Sequence, residues 1–89
     1  MFTGIVEEVG TVQKITAGHL TIDASTVMDD LKVSDSINVN GTCLTVTKMD
    51  SKSFSVDTVP ETLRRTNLGQ LSAGDFTNLE RPMKADGRF

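Results

Sequence analysis

The segment Val39–Met49, VNGTCLTVTKM, decides the fold of this 89-residue chain. It opens on Asn40-Gly41, a pair that favours positive backbone φ angles and leads into a strand. The alternation that follows places Leu44 and Val46 on one face of the strand. The second face carries a thiol, two hydroxyls and a thioether, from Cys43, Thr45, Thr47 and Met49. Such a face suits a flat polar heterocycle. An ordinary half-exposed strand, with Thr chosen for β propensity, is the alternative.

Short alternating segments on both sides of this strand predict an antiparallel sheet. Phe2–Ile15 is predicted to be extended, with glycines where the strand bends or another group approaches its backbone. Further strands are predicted at His19–Ala24, Ser36–Val39, Ser53–Asp57 and Phe76–Arg81. About six short strands indicate an all-β fold, a small closed antiparallel barrel, because closure removes the edges of a small sheet.

Two short helices are also predicted. Ser25 or Thr26 can cap the first, which would lie across an opening of the barrel. The second covers Thr58–Asn67, because its first residue and Glu61 have the spacing of a capping box and Pro60 occupies the first turn.

The composition bounds the class of function. Nine basic against twelve acidic residues give a net charge of -3, and the chain has no Trp or Tyr. Nucleic-acid binders usually show a basic face, so that class is not expected. Apolar windows are too short for a membrane span, and no signal peptide is visible, so a cytoplasmic location is expected. One cysteine and one histidine leave no internal disulfide and no His cluster for a metal.

The residues alone offer few candidates for catalysis. Cys43 is a possible nucleophile, but nothing in the spacing pairs it with His19. Three acidic residues lie near strand ends, namely Asp57, Glu61 and Glu80, so a paired-carboxylate site stays an alternative. Helix capping already explains Glu61. No Gly-rich loop has the spacing of a phosphate site. The residues by themselves indicate a small β-barrel in which one strand has a polar face, and this face is the candidate ligand site.

Four segments resemble the N-terminal half of the riboflavin synthase family. They are MFTGIVE at 1–7, VNGTCLTV at 39–46, ETLRRTNLG at 61–69 and NLERP at 78–82. The resemblance implies a six-stranded Greek-key barrel, which the family enzyme carries twice before a C-terminal helix. It also implies conversion of two molecules of 6,7-dimethyl-8-ribityllumazine into riboflavin and 5-amino-6-ribitylaminouracil, without cofactor or metal. The alternative is a non-catalytic flavin-binding or lumazine-binding protein of the lumazine protein type, which shares the fold.

The resemblance also implies which residues bind the substrate. These are Gly4, Ile5, Val6, Cys43, Leu44, Thr45, Asp57, Thr58, Val59, Pro60, Glu61 and Thr62. Within this set Cys43 is the candidate to assist nucleophile addition to the lumazine ring. The hydroxyls of Thr45 and Thr62 suit the pyrimidinedione edge or the ribityl chain. Phe2 is a candidate to flank a second ligand.

The resemblance finally implies a division of the chain and an assembly. Residues 1–82 are expected to form the barrel, and residues 83–89 a linker toward a second barrel. In the family each active site lies between barrels of two subunits in a homotrimer. A chain with one barrel is therefore expected to pair as a homodimer and to have little or no activity alone.

Overall fold

The computed structural model describes residues 2–16, 18–58 and 70–82. Within these ranges, six antiparallel strands close into a barrel with the neighbour order β1-β2-β5-β4-β3-β6. The strands are β1 (Glu8–Thr16), β2 (His19–Asp23), β3 (Ser36–Val39), β4 (Thr42–Met49), β5 (Ser53–Asp57) and β6 (Phe76–Glu80). The prediction of a small closed antiparallel barrel is confirmed. The first strand begins at Glu8 rather than at Phe2, so residues 2–7 run beside the barrel outside its ladders.

Side chains that alternate along the strands fill the barrel interior. The largest fully buried ones are Phe54, Ile22, Ile37 and Leu79. In β4, Leu44 and Val46 belong to this core, as their alternation predicts. Cys43 and Thr45 consequently lie on the outer surface of the barrel, and both are exposed.

The turn between β3 and β4 has the predicted conformation. Val39 pairs with Thr42, so Asn40-Gly41 is a two-residue hairpin loop, with φ of 50° and 88° at its two residues. Two positive φ angles are typical of a type I′ turn, which matches the twist of the strands. The amide nitrogen of Asn40 donates to the carbonyl of Asn78 (2.8 Å), and its Oδ1 accepts from the Asn78 amide nitrogen (2.7 Å). The turn is thereby attached to β6.

A β-bulge in β4 changes the face on which its last residues lie. Val46 pairs with Val56 and Lys48 with Ser55, so Thr47 is one extra residue between the two pairs. Met49 then lies opposite Phe54 and packs against the core. The prediction that Met49 shares a face with Thr45 is wrong, because a bulge shifts the alternation by one residue.

The two predicted short helices are not confirmed. The first is a single 3₁₀ turn, Thr26–Asp29, which buries Val27. Ser25 occupies the N-cap position but makes no side-chain capping hydrogen bond. The carboxylate of Glu8 on β1 instead accepts from the Ser25 amide (2.7 Å) and hydroxyl (3.2 Å) and from the Val27 amide (2.9 Å). A carboxylate from another strand therefore satisfies the donors of a short 3₁₀ connector. The second predicted helix lies outside the described residues except for Thr58.

Candidate functional site

An outer polar face, formed by Ser36, Asn38, Cys43 and Thr45, extends across β3 and β4. Ser36 pairs with Thr45, and Asn38 pairs with Cys43. Cross-strand partners project to the same side of a sheet, so the four side chains share one surface. Ser36 and Asn38 were missed by the sequence analysis. The two-residue turn could have revealed them, because it fixes which residues of the hairpin lie opposite each other.

A cleft of about 410 Å³ opens beside this face. Its walls come from the N-terminal segment, the β3–β4 turn and β6, through Gly4, Val6, Asn38, Asn40, Gly41, Asn78, Leu79 and Glu80. Asn38 belongs both to the cleft and to the outer polar face. It therefore connects two segments that the resemblance implies for ligand binding, one around Gly4 and one around Cys43. The volume is within the range of small-molecule sites.

Other grooves exist on the barrel. One of them, about 700 Å³, lies along β1, where its walls include Val9, Thr11 and Ala24. It contains none of the predicted substrate-binding residues. The cleft at Gly4 is therefore the better candidate, since it adjoins the outer polar face and shares Asn38 with it.

The start of the N-terminal segment is held by Glu80, at the end of β6. Glu80 as a whole is 4% exposed, and its carboxylate accepts from the Thr3 amide, the Thr3 hydroxyl (2.8 Å) and the Gly4 amide (3.1 Å). The Thr3 hydroxyl oxygen in turn accepts from the Ile5 amide (3.1 Å). The carboxylate of Glu80 thus binds the backbone of the N-terminal segment.

The end of the same segment is held by Arg81. Its Nε donates to Glu7 Oε1 (3.0 Å), its Nη2 to Glu7 Oε2 (3.1 Å) and its Nη1 to Asp30 Oδ1 (2.7 Å). Hydrogen bonding to Glu7 is the main cause that raises the pKa of Arg81, against desolvation, with Asp30 adding to the rise. The Glu7 amide also donates to the carbonyl of Leu79 (2.8 Å). The stretch from Gly4 to Val6 is therefore fixed at both ends.

Asp57 and His19 form a pair at the end of β5. His19 Nδ1 lies 3.1 Å from Asp57 Oδ1, and each side chain is about half exposed. The imidazole thus contacts Asp57 rather than Cys43. Because Val46 pairs with Val56, Asp57 lies at the same end of the β4–β5 ladder as Thr45. Asp57 and Glu80 do not form a carboxylate pair, since β4 and β3 lie between their strands.

The structure brings together part of the set of predicted site residues. Around the outer polar face it places Gly4, Val6, Cys43, Thr45 and, at the end of β5, Asp57. Ile5 and Val6 are apolar yet 59% and 50% exposed. The side chain of Leu44 lies in the core, and Thr58 is buried, with its amide donating to the carbonyl of Gly18 (2.8 Å). Phe2 is half-buried. The predicted residues Val59, Pro60, Glu61 and Thr62 lie outside the described residues.

Comparison with known proteins decides the family of this barrel. Residues 3–82 match the lumazine binding domain. The chain belongs to the lumazine-binding domain family. Among its relatives, the riboflavin synthases of Bacillus amyloliquefaciens and Bacillus subtilis (strain 168) are 54% and 50% identical over 93 aligned positions. The riboflavin synthase of Schizosaccharomyces pombe is 47% identical over 94 positions. Each match takes in the whole of this lumazine-binding domain but only 43%, 43% and 45% of the respective relative.

None of the helical segments in residues 2–16, 18–58 and 70–82 has the length and apolar character needed to cross a membrane. Over the same ranges, no three His, Cys, Asp or Glu side chains are grouped so that they could hold a metal ion.

Proposed function

We propose that this domain binds 6,7-dimethyl-8-ribityllumazine and riboflavin on the outer polar face, as the N-terminal domain of a riboflavin synthase. The observation that carries the proposal is the juxtaposition of two surfaces. Ile5 and Val6 present exposed apolar side chains, and Val6 lines the same cleft as Asn38 of the outer polar face, which presents hydroxyl, amide and thiol groups. A ribityllumazine has the same division, with methyl groups at one end of its ring system and two carbonyl groups at the other. The names of the relatives support this ligand class.

The side chains suggest how the ring would lie. Ile5 and Val6 would contact the methylated end, because this contact removes apolar surface from water. The Thr45 hydroxyl and the Asn38 amide can each donate and accept, as the pyrimidinedione edge and the ribityl chain require. Gly4, at φ 84°, has no side chain and lets the ring approach its backbone. Val59 and Thr62 are proposed as further contacts, on the resemblance alone.

The reaction proposed for the complete enzyme is a dismutation of two lumazines. A four-carbon unit passes from one molecule to the other, so the donor becomes 5-amino-6-ribitylaminouracil and the acceptor becomes riboflavin. No external oxidant or cofactor is needed for this balance. Cys43 is proposed to assist nucleophile addition to the ring, and its exposed position on the outer polar face is consistent with that role.

A complete site would combine this barrel with a second one. The domain corresponds to less than half of each relative, and supplies one ligand-binding face. The order β6-β3-β4-β5, in which a fourth strand returns beside the first of three sequential strands, supports the Greek-key path expected for such a barrel. We therefore propose that the domain alone has little or no turnover, and that two copies pair through the faces that carry Ile5 and Val6.

The test is a titration of the 89-residue chain with riboflavin, followed by quenching of flavin fluorescence. Saturation near one flavin per chain is expected. Thr45→Val should weaken binding about tenfold, because it removes a hydroxyl that bonds the ligand. Thr11→Val is the matched control, since it makes the same change on β1, which lies opposite β4 in the ring. Absence of saturable binding in a folded chain would refute the proposal.

Two further measurements separate the alternatives. Sizing of the chain in solution should give a dimer, and a monomer at all concentrations would refute pairing while leaving binding intact. Supplying the second barrel of a homologous riboflavin synthase should produce riboflavin from the lumazine. Tight binding with no turnover in that mixture would favour the second candidate, a non-catalytic flavin-binding protein.

A further inference from the structure

We infer that Glu80 is a positioning residue for the ligand site, and that its carboxylate holds in place the N-terminal segment whose residues Gly4 and Val6 form one wall of the cleft. The inference rests on the proposed function. It assigns to Glu80 no contact with the reacting atoms. Its role would be to fix the backbone from which the apolar side chains of the site project.

The geometry around Glu80 is that of a built anchor. Both carboxylate oxygens are used, one by the amide and the hydroxyl of Thr3 and the other by the amide of Gly4. The residue itself is almost fully buried. Its backbone pairs with Asn38 of β3, at the seam that closes the barrel. The anchor is therefore part of the β3–β6 pairing that completes the barrel, directly beside the cleft.

The segment held by this anchor would not be ordered by its own packing. The side chains of Ile5 and Val6 are at least half exposed, so burial in this barrel does not fix their positions. Residues 2–7 also lie outside the strand ladders. Hydrogen bonds at the two ends, to Glu80 and to Arg81, are what hold the intervening residues against the cleft. Loss of one anchor should leave the other end attached and the barrel closed.

A wall that is ordered in advance raises affinity without new contacts. If the segment adopts its binding geometry only a fraction of the time, the apparent dissociation constant rises by the inverse of that fraction. A drop in occupancy to about one tenth would weaken riboflavin binding about tenfold. Loss of the anchor should therefore weaken riboflavin binding and reduce the local order of the N-terminal segment. Both changes should exceed those that a general loss of stability produces.

Glu8 supplies a matched control. Its carboxylate accepts from two backbone amides and one hydroxyl, the same set of donors that Glu80 binds, but it holds the 3₁₀ turn at Ser25 and Val27. Glu80→Gln and Glu8→Gln therefore make one chemical change at two anchors. Gln keeps one acceptor oxygen but replaces the second with an NH₂ donor, so it cannot accept at both positions as the carboxylate does.

The experiment measures riboflavin affinity, urea unfolding and hydrogen exchange of the Thr3 and Gly4 amides in the 89-residue chain. Glu80→Gln should weaken riboflavin binding about tenfold and accelerate exchange at both amides. Glu8→Gln should retain near wild-type affinity and unchanged exchange there, whatever it costs in stability.

Thr3→Val, compared with Thr3→Ser, tests the same anchor should Glu80→Gln fail to fold. Val removes the hydroxyl that Glu80 accepts from, and Ser keeps it, so only Val should weaken binding.

The outcomes are distinct. Equal affinity losses in the two Gln variants, or in the two Thr3 variants, would overturn the positioning role of Glu80. Unchanged exchange at Thr3 and Gly4 in Glu80→Gln would overturn it as well. Failure of the wild-type chain to bind riboflavin would instead refute the proposed function, and the ligand-positioning role would fall with it.

Discussion

Gly10 is the residue at which the barrel has the least room. A Cβ atom there would lie 2.7 Å from Leu79 Cδ1, 2.8 Å from Ile22 Cγ2 and 2.9 Å from the carbonyl oxygen of Asp23. The last of these is backbone and cannot rotate away. We expect Gly10→Ala to lower the free energy of unfolding by about 2–3 kcal/mol, as overpacking does in tight cores. Urea denaturation measures the loss.

The neighbouring residue provides the control for Gly10. Val9 points outward and is 57% exposed, so Val9→Thr, which keeps the branched shape, should change stability by no more than about 0.5 kcal/mol. A Gly10→Ala variant as stable as Val9→Thr would show that β1 and β2 can separate without cost. The sequence predicted a close approach or a bend at this glycine, but it could not identify the atoms that approach.

At the scale of elements, features that depend on neighbouring residues could be predicted from the sequence. Features that depend on residues distant in the chain could not. The strands near Val39–Met49 follow from alternation, and the turn at Asn40-Gly41 follows from the preference for positive φ. The first predicted helix is a single 3₁₀ turn, and the carboxylate that binds the donors at its start comes from Glu8, seventeen residues before Ser25. Met49 changes face because of a bulge that pairs β4 with β5. Both depend on partners brought together by the fold.

The site shows the same division. Cys43 and Thr45 were predicted to share a face, and this is confirmed. Asn38 was not predicted as part of a site, because an exposed amide on a short strand has no local pattern that distinguishes it. Its significance depends on the N-terminal segment, which lines the cleft and is bound by Glu80 at one end and by Arg81 at the other.

The turn between β3 and β4 yields a prediction at this scale. Asn40 tolerates φ 50° and joins the hairpin to β6, where β3 itself makes only two register pairs, at Asn38 and Val39. Asn40→Ala should lower the free energy of unfolding by about 1–2 kcal/mol, since it removes a hydrogen bond and strains the turn. Asn40→Asp keeps an acceptor for the Asn78 amide and should lose less. Thermal or urea unfolding of the pair tests this, and equal losses would contradict it.

At the scale of the whole molecule, Arg81 joins three parts of the chain that the barrel ladders leave apart. Its guanidinium binds Glu7 of the N-terminal segment and Asp30 after the 3₁₀ turn, from a position just beyond β6. The side chains of Arg81 and Glu7 are 12% and 11% exposed. Arg81→Met should therefore lower the free energy of unfolding by about 3 kcal/mol, as loss of one partner from a buried ion pair does. Arg81→Lys keeps the charge but lacks the planar guanidinium, so its free energy of unfolding should lie between those of the wild type and Arg81→Met.

The pH dependence of this contribution follows from the direction in which the pKa of Arg81 moves. Glu7, and then Asp30, raise that pKa above its ordinary value. A raised pKa on a cation stabilises the folded chain at every pH below the ordinary value, and this contribution is lost only as the pH rises through the raised pKa. The difference in unfolding free energy between the wild type and Arg81→Met should thus be equal at about pH 7 and pH 9. Urea unfolding at both values measures it. A difference that shrinks at the higher pH would mean that a group other than the guanidinium titrates within this junction.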